Sequence, residues 1–147
     1  MRDARGRSLG APSSAFVLLG AAQCGKASLS GMRLLARTPV PVWPMDPVPA
    51  RGPLIVEIYC RAFVAAAVAR LSEPERIGKV TDRARLSRLL AALGSEPAGV
   101  PERFSDHVGD ALISAAGMRR AAGDPAKWQP RGLDTVHATE GWTFGIV

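Results

Sequence analysis

Three acidic residues stand where a carboxylate could take part in catalysis or metal binding. Glu57 lies within an apolar run, and Asp106 and Asp110 are four residues apart in a segment of helical character. On a helix this spacing puts both aspartates on one face, where like charges repel by roughly a few tenths of a kcal/mol. A divalent cation between them would remove the repulsion. The candidate catalytic and metal-binding residues are therefore Glu57, Asp106 and Asp110.

Glu57 belongs to the clearest strand in the chain, which we predict over residues 54–59. Apolar neighbours on both sides are typical of a strand that is covered on two faces. A buried lone carboxylate is costly, so it needs a partner, a metal ion or a raised pKa. We expect Glu57 to be buried and compensated, either by a metal ion or by a structural ion pair with Arg61 or another arginine.

The acids of the helix also have simpler explanations. A carboxylate near a helix N-terminus is stabilised by the helix dipole, which is enough to account for Asp106. The small residues Ser114 and Gly117 lie on the face of Asp110 and would let it approach a sheet closely, towards the end of the predicted strand. His107 could transfer a proton or bind metal, although one histidine in a polar helical turn more often does neither.

The elements that must position these residues alternate between strand and helix. Residues 15–22 are predicted to form a strand, and the proline-interrupted residues 39–46 an extended segment at a sheet edge. The apolar residues 141–147 are expected to pack back onto the core. Three helices follow from apolar spacing and stop signals, over residues 61–71, 81–93 and 105–122. This alternation predicts a layered α/β fold.

One short segment comes close to a phosphate-binding loop. Gly20, Gly25 and Lys26 have the spacing of the GxxxxGK[ST] motif. However, Ala27 stands where that motif needs the hydroxyl that binds Mg²⁺. We interpret the segment as a plain turn and helix start, and no nucleotide cofactor is predicted.

Composition limits the domain count and the compartment. A chain of 147 residues has room for one domain, predicted over residues 15–147 and preceded by a polar, disordered arm at 1–14. The two cysteines, Cys24 and Cys60, have neither zinc-ligand nor disulfide spacing. We expect no secretory signal, and the apolar runs are too short to span a membrane. We therefore expect a cytoplasmic protein with free thiols.

The charge of the chain bears on its partners. The net charge is +6, carried mostly by arginine. A positive surface would attract the phosphates of nucleic acid without sequence preference. A plain solvated surface explains the same charge, so nucleic acid is a possible partner rather than an implied one.

Five short segments share their order with the motifs of one known family. Residues 57–61 (EIYCR) are similar to a Glu-x-Tyr-Pro-Arg strand end, and residues 105–112 (SDHVGDAL) to an Asp-(His/Asp)-x-x-Asp-Ala-Leu helix start. Residues 140–142 (EGW) match a Glu-Gly-Trp signature. Residues 25–32 (GKASLSGM) and 43–44 (WP) match a Gly-x-x-Ser-Leu-x-Gly-Met stretch and a Trp-Pro-Phe-Asp strand. Together they resemble the family of predicted RNase H-fold nucleases of unknown function.

This resemblance implies an RNase H-like three-layer α/β fold that is incomplete at its N-terminus. It also implies a site in which Glu57, Asp106 and Asp110 bind Mg²⁺ or Mn²⁺ for phosphodiester hydrolysis, with His107 in a supporting role. Cys60 stands where the family has proline, a minor departure. A greater one is that RNase H-like sites are built around an aspartate on the first strand. This chain has no candidate for it, since Asp3 lies in the polar arm with no apolar strand around it.

Two classes of function remain open on the sequence. The first is a metal-dependent nuclease, or a truncated relic of one, acting on nucleic acid. The second is a non-catalytic binding or assembly domain. A sheet without its first hairpin would expose an edge strand. We therefore expect a homo-oligomer formed through that edge, or association with a missing N-terminal segment.

Overall fold

The computed structural model describes residues 25–73, 75–139 and 141–146. The predicted arm at 1–14 and the predicted strand at 15–22 lie outside them. The described elements are α1 (Gly25–Leu35), β1 (Val42–Trp43), β2 (Ile55–Ile58), α2 (Cys60–Val68), α3 (Arg83–Ala92), α4 (Asp106–Ala122), α5 (Pro125–Trp128), α6 (Leu133–Val136) and β3 (Thr143–Phe144). Helices and a small parallel sheet are combined, so the fold class is α/β, as predicted. None of the helices in the described residues is long and apolar enough to cross a membrane.

The described strands form a parallel sheet in the order β1-β2-β3. Val42 pairs with Ile55, and Ile58 pairs with Phe144. The predicted strand at 54–59 is therefore the central one, which confirms its interior position. The proline-interrupted segment supplies the short β1, and the C-terminal segment packs onto the core as expected, with Phe144 only 1% exposed.

Helices cover one face of this sheet in the described part of the chain. Ile58 packs against the helical core, and its neighbour Phe144 is buried on the same side. Trp43, Trp128 and Phe144 stack at this face, with ring centroids 5.5 Å apart for Trp43–Phe144 and 4.4 Å for Trp128–Phe144. Because strand side chains alternate, Ile55 and Glu57 point to the opposite face.

The core lies among α2, α3 and α4. Four leucines in and directly after α3 are buried in this core, namely Leu86, Leu89, Leu90 and Leu93. That helix begins after Asp82, whose side chain accepts a hydrogen bond from the Arg85 N–H at 2.8 Å. Ser105 stands at the N-cap of α4 as predicted, but its side chain makes no capping hydrogen bond.

Two glycines bring α4 very close to its neighbours. A Cβ at Gly109 would collide with the main-chain oxygen of Val80, and one at Gly117 would collide with the ring of Phe63 in α2. The small residues of α4 were expected to approach a sheet. Instead they approach α2 and the segment before α3, because helices rather than strands pack against this face.

A buried arginine fixes that segment. The Arg85 guanidinium donates to the carbonyl oxygens of Arg76 and Lys79, both at 2.6 Å, and to a Glu75 carboxylate oxygen at 3.1 Å. The second Glu75 oxygen accepts from Arg88 at 2.7 Å. A buried charge that is paired and fully hydrogen-bonded is tolerated. The segment from Glu75 to Val80 is therefore held against α3 although it is neither helix nor strand.

We predict that Gly109→Ala destabilises the protein. Alanine favours a helix over glycine by about 1 kcal/mol, but here the new methyl group would meet a main-chain oxygen, and such overpacking costs about 1–3 kcal/mol. Gly31→Ala is the matched control, because nothing lies within 4 Å of its Cβ position in α1. Thermal melts should show a lower Tm for Gly109→Ala and no loss for Gly31→Ala. Equal Tm values for Gly109→Ala and the parent would contradict the close approach.

Candidate functional site

The first half of α4 lies beside the carboxyl end of the central strand. Cys60, the first residue of α2, follows β2 after one intervening residue. Its thiol donates to the Asp110 carboxylate at 3.3 Å and lies 3.5 Å from the Asp110 main-chain oxygen. In parallel α/β sheets, ligands bind outside the carboxyl ends of the strands. Asp110 therefore lies where the fold class places its binding sites.

The Cys60 thiol is a hydrogen-bond donor rather than a nucleophile. The pKa of Cys60 is raised to about 11, chiefly by burial; a hydrogen bond with Ser114 lowers it, and the hydrogen bond and charge of Asp110 raise it. The thiolate is the reactive form of cysteine. With this pKa the side chain stays protonated at neutral pH, and it ties Asp110 to the end of β2.

Asp106 forms an ion pair with Lys79. The Lys79 side chain is 80% exposed and that of Asp106 is 25% exposed. A hydrogen bond from Lys79 lowers the pKa of Asp106. Conversely, the pKa of Lys79 is raised chiefly by Asp106 and to a lesser extent by Asp110. The ammonium group thus lies in the field of both aspartates and partly offsets their repulsion, as the predicted cation was expected to do.

Sequence reasoning missed Lys79. It lies 27 residues before Asp106 in an irregular segment, and no local pattern joins the two. Its position depends on the Arg85 hydrogen bond to its own carbonyl oxygen. The only signal in the sequence is that Lys79 is one of few lysines in an arginine-rich chain.

Glu57 is exposed, so the expectation of a buried carboxylate is wrong. It lies on the sheet face away from α2, α3 and α4, which the described helices leave uncovered. The expected ion pair with Arg61 is also absent, and Glu57 forms no ion pair with any other described residue. An exposed carboxylate needs no compensation, because water solvates it.

The three predicted acids are not brought together. Among the described residues, no group of three or more His, Cys, Asp or Glu side chains is arranged to hold a metal ion. Asp106 and Asp110 share one face of α4 near Lys79, whereas Glu57 lies on the other side of the sheet. His107 is exposed and makes only a lesser electrostatic contribution to the lowered pKa of Asp106.

A cleft of about 550 Å³ lies elsewhere on the surface. Arg131, Asp134 and His137 are among its polar lining residues, and Pro44 and Leu133 supply apolar walls. None of the predicted site residues lines it. The candidate site and this cleft are therefore separate.

Comparison with protein-family models, curated proteins and solved structures finds no match to this chain. The likeness to RNase H-fold nucleases therefore depends on the short motifs alone. One of them includes Glu140, which lies outside the described residues.

We predict that Cys60 reacts slowly with iodoacetamide and that Asp110→Asn speeds the reaction. A raised pKa lowers the thiolate fraction at any pH below it, and removing the Asp110 charge lowers the pKa again. The rate should be measured from neutral to alkaline pH in a Cys24→Ser background. Glu96→Gln, at an exposed position, is the control. An Asp110→Asn rate equal to that of the parent would contradict the contact between these side chains.

Proposed function

We propose that this chain is an RNase H-like metal-dependent nuclease domain, or a relic of one, whose cation site is the Asp106–Asp110 pair. The observation that carries the proposal is the Cys60–Asp110 contact, since it puts the acids of α4 beside the carboxyl end of the central strand. The α/β class and the order of the sequence motifs support the same assignment. The proposed site has two acids on one helix rather than three on two elements.

Two carboxylates are compatible with Mg²⁺ or Mn²⁺. Mg²⁺ keeps several waters and is commonly held by one or two protein carboxylates together with substrate phosphates. Glu57 is not a ligand in this proposal, because it lies on the opposite sheet face. When bound, the ion would supply charge neutralisation and water activation for phosphodiester hydrolysis.

Lys79 has two roles in this proposal. Without metal, its ammonium partly neutralises the aspartates and competes with a divalent ion for Asp106. With a nucleic acid present, the same exposed ammonium can contact a phosphate and leave Asp106 free. The net charge of +6 favours that approach of phosphate.

The competing function is a non-catalytic binding or assembly domain, in which Lys79 is the permanent partner of Asp106. The observation in its favour is that both acids of α4 already have protein partners, Lys79 for Asp106 and Cys60 for Asp110. In that case the acids are part of the architecture and are indifferent to divalent ions.

We predict that Mn²⁺ raises the Tm of the parent protein. An ion that binds only the folded state, at ten times its Kd, adds about 1.4 kcal/mol to the free energy of unfolding. For a domain of this size that is a rise of roughly 3–6 °C. Asp110→Asn should abolish the shift, and Lys79→Ala should enlarge it by removing the competing ammonium. Glu96→Gln is the control and should behave as the parent.

The same proteins should be incubated with labelled single-stranded and double-stranded DNA and RNA in Mn²⁺ at low salt. We expect cleavage to be weak or undetectable, because the first-strand aspartate of RNase H-like sites has no candidate. A parent Tm that does not respond to Mn²⁺ would leave Asp106 and Asp110 as structural residues. A shift that survives Asp110→Asn would place the ion elsewhere.

A further inference from the structure

The helix α1 presents an apolar stripe to solvent. Leu29 is 54% exposed, Met32 56% and Leu35 37%, and their spacing places them along one side of the helix. The helix makes no extensive contact with the other described elements. An exposed apolar surface of this kind marks an interaction site.

The stripe has a basic border and no acidic one. Lys26 and Arg33 are seven residues apart, so they lie on the same side of α1, next to Leu29. The helix has no acidic residue. A partner that fits must therefore be apolar in its middle and negatively charged at its border.

The uncovered face of the sheet has those properties. Alternation puts Val42 and Ile55 on this face, both half-buried, with Glu57 exposed at the next position of β2 that faces the same way. Glu57 forms no ion pair with a described residue. An apolar pair of side chains bordered by an exposed carboxylate complements the apolar stripe and basic border of α1.

The outer edge of β1 is blocked. The Val42 N–H donates to the Asp46 carboxylate at 2.8 Å, the Val40 N–H donates to the Thr38 hydroxyl at 3.2 Å, and Pro44 has no N–H. Ile55 donates to the Pro41 carbonyl oxygen from the inner side. Strand addition needs free edge donors, and these N–H groups on the outer side of β1 are already engaged within the chain.

We propose that a second copy of this chain docks its α1 on the uncovered sheet face, with Leu29 and Met32 against Val42 and Ile55 and Arg33 paired with Glu57. Such a contact is reciprocal about a two-fold axis, so each dimer contains it twice. An 11-residue helix is about 16 Å long and the four-residue β2 about 13 Å, so the two surfaces match in length. The area is small, which makes the dimer a weak and reversible one.

The test is sedimentation equilibrium of the full chain over a dilution series. The parent should be a dimer at high concentration and dissociate on dilution. A double variant, Leu29→Glu with Met32→Glu, should weaken association at least about tenfold, because it places charges in the apolar contact. Val108→Glu is the matched control, since Val108 is an exposed apolar residue of α4 outside the proposed contact (39% exposed), and it should dimerise as the parent does.

A charge exchange tests the orientation. Glu57→Arg and Arg33→Glu should each weaken the dimer, and the double exchange should restore most of the loss, because the pair is then re-formed with reversed sign. Circular dichroism of each variant confirms that it is folded. A parent that stays monomeric at every concentration overturns the proposal. So does a Leu29/Met32 variant that dimerises like the parent, or a charge exchange without recovery.

Discussion

The close approach of α4 to α2 and to the segment before α3 is the constraint on which the rest of this structure depends. Gly109 and Gly117 permit it, since a methyl group at either position would overlap Val80 or Phe63. With α4 at this distance, Asp110 reaches the Cys60 thiol at the end of β2 and Asp106 reaches Lys79. A shift of α4 away from α2 by the width of a methyl group would lengthen the 3.3 Å Cys60–Asp110 contact beyond hydrogen-bond distance. The glycines therefore determine the electrostatics of the candidate site without contributing a polar group.

The contact between Asp106 and Lys79 also depends on the segment from Glu75 to Val80, which is neither helix nor strand. The hydrogen bonds of Arg85 to the Arg76 and Lys79 carbonyl oxygens replace those that a helix or sheet would provide. Glu75 neutralises the buried guanidinium and is shared with Arg88. The hydrogen-bonded network around the buried Arg85 therefore fixes the position of Lys79, whose side chain forms the exposed ion pair with Asp106. The Lys79 side chain that meets Asp106 is exposed, whereas its main chain is held by Arg85.

The helices and strands could be predicted from the sequence more accurately than the burial and long-range contacts of their side chains. The strand around Ile58 and the helix with Leu86, Leu89 and Leu90 were predictable, because apolar periodicity is a local property. The exposure of Glu57 was not predictable, because a run of apolar residues does not say which face of a short strand is covered. The prediction that Asp110 lies near the end of this strand is confirmed by its contact with Cys60. The contact between Lys79 and Asp106 was unpredictable, since it depends on a long-range arginine network. The short β3, α5 and α6 carry too few residues for a periodic signal.

The predicted acids lie on different sides of the sheet, so their surroundings differ. Asp106 forms an ion pair with Lys79, Asp110 accepts a hydrogen bond from the Cys60 thiol, and the charge of Asp110 also acts on Lys79. On the other side, Glu57 has solvent around it and apolar neighbours beside it. A carboxylate in water needs no partner for stability, so nothing in the fold requires Glu57 to be acidic. Glu57 is exposed on that surface, whereas Asp106 and Asp110 contact Lys79 and the Cys60 thiol along α4. A single cation cannot serve both faces, and the three acids are better treated as one pair and one independent residue.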